Sequence, residues 1–140
     1  MAAANIDPRY SAVGDVQWSG TITAANTAKD GTGTTGTVWV ADATNGGRLE
    51  RIKGRGAGTN VATAARFFVN NGSTSTVAAN NALISEVTVA ATTLSEVAAI
   101  ADNEVPLIVP LVLPPGYKML VAQGTAVAAG LNWTGIGGKF

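Results

Sequence analysis

Hydrophobic and polar residues alternate along most of this chain, in short runs separated by breaks rich in glycine and asparagine. Over residues 16–24, VQWSGTITA, the side chains of Val16, Trp18 and, past a kink at Gly20, Ile22 fall on one parity, the period of two expected of a half-buried strand. The same pattern predicts strands over residues 37–41, 48–53, 60–69, 82–91, 105–113, 117–123 and 126–136. Helical periodicity is nearly absent, and residues 92–101, TTLSEVAAIA, are expected to form a loop. Eight short strands punctuated by turn signals predict an all-β fold, a two-sheet sandwich. The strand number and the uneven loop lengths predict jelly-roll topology.

The longest apolar segment is residues 104–123, EVPLIVPLVLPPGYKMLVAQ. Val105, Leu107, Val109, Leu111 and Leu113 alternate with Pro106, Ile108, Pro110, Val112 and Pro114, so both faces of an extended chain are apolar, which predicts a strand buried on two sides. Prolines remove amide donors and clash with a preceding helical turn, so the segment can be neither a helix nor a membrane-spanning one. Pro114-Pro115-Gly116 fits a type II turn with positive φ at Gly116, and residues 117–123 are expected to fold back as the second arm of a hairpin. Pro106 and Pro110 share a parity, so both missing amides lie along one side of the strand, which places that side at a sheet edge. An apolar edge needs a cover, which makes it a candidate surface for another chain. In residues 60–69, Phe67 and Phe68 point to opposite faces. One belongs in the core, and the other lies under a loop or at an interface. Asn70-Asn71-Gly72 after them signals a hairpin turn.

With 140 residues, zero formal net charge, 13% charged residues, and neither cysteine nor histidine, the chain is expected to be one sandwich domain over residues 13–140 preceded by an arm, residues 1–12. The arm lacks the basic start and long apolar centre of a signal peptide. Ile6, Arg9 and Tyr10 give it side chains with which to dock on a neighbour. Weak charge argues against nucleic acid as a partner and suits a protein that lives assembled. Without histidine or cysteine, the commonest general base, nucleophile and soft metal ligands are missing, so no enzyme activity and no cofactor are expected. The carboxylates are scattered singly, with no facing pair for glycoside hydrolysis and no calcium-loop spacing. Gly31-x-Gly33-x-x-Gly36 matches a dinucleotide fingerprint in letters only, because a β-branched strand follows where a helix must open. Trp18, Trp39 and Trp133 could stack on sugars, but each sits in a predicted strand among apolar neighbours, where core packing is expected. Arg48, Arg51, Lys53 and Arg55 form the one cationic cluster, either a solvated edge strand or a contact to an acidic surface.

Three stretches carry a resemblance. They are Ala65-Arg66-Phe67-Phe68-Val69-Asn70-Asn71-Gly72-Ser73, Leu83-Ile84-Ser85-Glu86-Val87-Thr88-Val89, and Leu111-Val112-Leu113-Pro114-Pro115-Gly116-Tyr117-Lys118-Met119-Leu120-Val121. Together they resemble small virion proteins of tailed bacteriophages, most closely the capsid decoration, or cement, proteins of short-tailed phages such as the Bordetella podophage group. The resemblance implies a β-sandwich made in the host cytoplasm and carried on the outer surface of the capsid. There it would associate as a homodimer or homotrimer and clamp the major capsid protein, with no nucleic acid or membrane as partner. On that reading Phe68, Pro106, Ile108, Pro110 and Val112 form the contact between copies, while Ile6, Arg9, Tyr10, Arg48, Arg51 and Arg55 meet the capsid. The alternative is a carbohydrate- or receptor-binding sandwich such as a tail-fibre module, which predicts a tryptophan or tyrosine exposed at a loop end beside Asp or Asn.

Overall fold

A computed structural model describes residues 13–107 and 110–140. The proposed arm, with Ile6, Arg9 and Tyr10, and residue Ile108 lie outside the described residues. The strands are β1 (Val13–Ile22), β2 (Gly36–Val40), β3 (Gly47–Gly56), β4 (Thr63–Asn70), β5 (Asn81–Val89), β6 (Asn103–Glu104), β7 (Leu111–Leu113), β8 (Lys118–Gln123) and β9 (Leu131–Lys139). They form two antiparallel sheets, as the alternation predicts. One runs β1-β9-β3-β6 with β7 also on β3, and the other runs β2-β8-β4-β5. Residues 92–101 contain no helix, as expected.

The core lies between the sheets and is built around Trp39, Trp133, Phe67, Leu49, Ile52, Met119, Val121 and Leu131. Phe67 meets Trp133 edge to face, with ring centroids 4.8 Å apart and planes at 80°. Two indoles on one thin layer need room, and glycine supplies it. Gly54 pairs directly with Trp133 across β3 and β9, and a Cβ there would enter the indole ring. Gly47 and Gly135 make the same space for Trp39.

The proline-rich segment departs from the expected hairpin. Pro106 and Pro110 break it, so only β6 and β7 pair, both with β3 at the edge of the five-stranded sheet. The edge placement is as predicted. The chain then turns at Pro114, with the Tyr117 amide donating to the Pro114 carbonyl (3.2 Å) and Gly116 at φ +77. Beyond the turn β8 does not fold back on β7. It crosses into the other sheet and pairs with β2 and β4. The strand buried on both faces is therefore β8: Met119 and Val121 enter the core while Leu120 and Ala122 are buried on the opposite side. A segment that has lost two amides cannot occupy the middle of a sheet, whereas residues 118–123 keep every donor.

In β1 the register slips by one residue between Trp18 and Thr21, where Gly20 adopts φ +71. A one-residue bulge exchanges the two faces of a strand. Ile22 accordingly packs on the core, while Val16 and Trp18 face outward.

Candidate interaction surface

The outer face of the five-stranded sheet grades from apolar to ionic. Val16 on β1 stands opposite Ile136 on β9, which stands opposite Arg51 on β3; one row along, Trp18, Thr134 and Lys53 line up in the same way. Trp18 is 68% exposed. Its expected burial does not occur, because the kink at Gly20 reverses the face; Trp39 and Trp133 are buried as expected. At the other margin, on β7, Val112 is 61% exposed and stands opposite Arg48.

The cationic cluster is largely neutralised inside the chain. Arg51 pairs with Glu104 on β6, Lys53 Nζ reaches Asp102 Oδ2 at 2.9 Å, and Arg48 Nε lies 3.5 Å from Glu50. Arg55 is exposed on the same strand, and its field also reaches Asp102. These pairs face solvent and are individually weak, so a partner's charges can displace them at small cost. Next to them, Glu50, Arg51, Ile52, Glu104, Val105, Pro106 and Leu107 line an open groove of about 320 Å³.

Of the residues expected between copies, Pro106, Pro110 and Val112 are exposed along one edge. Phe68 is not among them. It is fully buried with Leu120 and Ala122 on the outer face of the four-stranded sheet. The loop over residues 24–35 is tied down on both sides of that face. Its Asn26 amide donates to the Gln123 carbonyl (2.7 Å), and Asn81 Nδ2 on β5 donates to the Asp30 carbonyl (3.1 Å). Asn26 holds the loop in shape, its Nδ2 donating to the Thr32 and Thr34 carbonyls and its Oδ1 accepting from the Ala28 amide. Of the two fates open to the second phenylalanine, burial within its own chain is the one realised, and Phe68 has no surface to give a second copy. Gly31 and Gly33, in the pseudo-fingerprint, take positive φ in this loop, and strand β2 follows it.

The other loops expose little chemistry. Val97 is 97% exposed at the tip of the segment after β5, where the Ser95 hydroxyl accepts from the Val97 and Ala98 amides. Asn60 joins three segments, its backbone bridging to Thr92, its Nδ2 donating to the Gly130 carbonyl and its Oδ1 accepting from the Ala129 and Gly130 amides. Among the described residues no group of three or more His, Cys, Asp or Glu side chains is placed to hold a metal ion, and no helix is long and apolar enough to cross a membrane.

Three carboxyls are held below their ordinary value of 3.8. Asp30 is lowered by hydrogen bonds from the Thr32 hydroxyl and amide, Asp42 by the Asn45 and Thr44 amides, and Asp102 by the hydrogen bond and charge of Lys53. A depressed folded-state value stabilises the fold above the unfolded value, and the contribution is lost as pH falls through the folded one. The melting temperature is therefore expected to be level above pH 5 and to fall below about pH 4. Asp42→Asn, which removes one of the three groups, should shrink that acid loss.

Compared with family models, with curated proteins and with solved structures, the chain matches none.

Proposed function

We propose that this chain is a structural virion protein that decorates and cements the outside of a tailed-phage capsid, strengthening contacts between major capsid subunits. The observation that carries the reading is the outer face of the five-stranded sheet. In a chain of zero net charge it displays Val16, Trp18 and Val112 beside cations whose intrachain pairs are weak and exchangeable. An apolar, lightly charged face suits lasting contact with protein. The reading takes the sandwich to be a jelly roll. What supports it is that, with β6 and β7 counted as one strand broken by its prolines, the chain changes sheet at every connection except β4 to β5, as two nested Greek keys require.

On this reading the edge carrying Pro106, Pro110 and Val112 faces the capsid together with Arg48, Arg51 and Arg55. It involves no cofactor and no catalytic step. Cementing needs only buried area that crosses a subunit boundary, and about 800 Å² per partner, repeated over a shell, resists internal pressure. Shells assembled without the chain are expected to rupture at a higher temperature once it is added. Arg51→Glu and Val112→Lys should each weaken that effect. An unchanged rupture temperature at saturating chain overturns the reading.

The second reading, a carbohydrate-binding module, is favoured by Trp18. It is the exposed tryptophan that such a module requires, and Asn132 lies on the neighbouring strand, accepting from the Thr21 hydroxyl. The geometry it expects, an aromatic at a loop end, is not met, since Trp18 lies within β1. Glycan-array binding abolished by Trp18→Ala, with no effect on shells, would put this reading first.

A further inference from the structure

The sandwich has four edges, and three of them are blunted against further pairing. β2 is five residues long and bulged, and the Gln17 amide caps it at Val40, donating to its carbonyl (2.9 Å) and accepting from its amide (3.0 Å). β5 is bulged opposite Phe67 and Phe68. The β6–β7 edge is interrupted by Pro106 and Pro110. These are the usual devices by which sheets avoid adding strands. β1 has none of them before Gly20. It offers regular backbone from Val13 to Trp18 with one charge, Asp15, no proline, and half or more of the side chains of Val13, Val16 and Trp18 in solvent. Its backbone hydrogen bonds go to β9, and among the described residues no strand pairs with its opposite edge.

The β1 sequence is also complementary to itself. If two copies of β1 pair antiparallel about a twofold axis through Val16, Trp18 of each stands opposite Gly14 of the other. A side chain at Gly14 would meet nothing within 4 Å, so an indole can lie across that position. Asp15 then falls opposite the neutral Gln17, whereas a twofold axis moved one residue, to Asp15 itself, would bring two carboxylates together. Val16 and Trp18 of both copies stay on one outer face, because opposed residues in an antiparallel pair point to the same side.

We propose that this chain forms a twofold dimer by pairing β1 with β1 of a second copy, with Val16 on the axis, so that the two five-stranded sheets become one. It rests on the decoration reading only for the expectation that copies associate, and it moves that contact away from the proline-marked edge. Such an isologous contact closes on itself and leaves the β3, β6 and β7 margin of both copies free.

The test is solution mass by light scattering on the full chain and on two variants. The native chain should have about twice the 14.0 kDa of one chain. Val16→Lys and Val16→Asp each put like charges against each other at the axis, and each alone should run at 14.0 kDa with an unchanged melting profile, since Val16 is half exposed. An equimolar mixture of the two should recover the doubled mass. A native chain at single mass, or a doubled mass that survives Val16→Lys, overturns the pairing. Two monomeric variants that fail to combine overturn the register. A chain that dimerises as described yet leaves shells unloaded contradicts capsid decoration and leaves this contact standing.

Discussion

Gly54→Ala is expected to lower the stability of the fold by about 3 kcal/mol, the upper end of the usual cost of overpacking a core. The added methyl would enter the six-membered ring of Trp133, which is 1% exposed and packed edge to face with Phe67. Neither ring has space into which to retreat, because native cores hold few voids. The backbone of β3 cannot yield either, since β9 pairs with it on both sides of Gly54, from Arg51 to Gly56. Gly14→Ala is the control. It adds the same methyl on β1 where nothing of its own chain lies within 4 Å, and, measured in the Val16→Lys background that separates the copies, should change stability little. Denaturant midpoints of the two variants measure the contrast, and equal midpoints would mean that Trp133 does not pack on Gly54.

Phe68→Ala is expected to cost about 3–5 kcal/mol while leaving the mass of the chain in solution unchanged, provided the variant is assayed below its unfolding transition. The ring is wholly enclosed with Leu120 and Ala122, so truncation opens a cavity inside one chain and removes nothing from its surface. Were Phe68 part of a contact between copies, the variant would dissociate and keep its melting temperature. Unfolding at matched concentrations, followed by light scattering, separates the two outcomes.

The sandwich itself was legible because sheet faces impose a period of two, and β2, β3, β4, β5 and β8 all lie within or close to the predicted runs. The edge position of the proline segment was legible too, since a missing amide has only one consequence in a ladder. What escaped depends on where the chain goes after a turn. Pro114-Pro115-Gly116 announces a reversal, but the letters are the same whether the next strand joins β7 or crosses to β2 and β4. The direction is set by the core that Met119 and Val121 must enter. The face of Trp18 was lost to a single residue, the bulge at Gly20. A glycine within an alternating run was the available signal, and with it the parity before and after should be read separately.

The sequence leaves Phe68 open between a loop and an interface, because what decides its fate lies far upstream at Asn26 and downstream at Asn81. Asn26 and Asn81 look like ordinary turn formers, yet the Asn26 side chain holds the loop of residues 24–35 in shape while its backbone amide and the Asn81 side chain fasten that loop at the margins of the face that holds Phe68. Long-range clips of this kind carry no periodicity. For the interaction surface, the cationic cluster was visible as composition, but its acids are distant in sequence. Glu104 and Asp102 reach Arg51 and Lys53 because β6 pairs with β3.

The most direct measurement is the mass of undecorated shells titrated with the purified chain. The account predicts uptake that saturates at a fixed number of copies per capsid subunit. It also predicts that the plateau is lost with Val112→Lys and Arg51→Glu combined. Shells whose mass does not change at any chain concentration would contradict it.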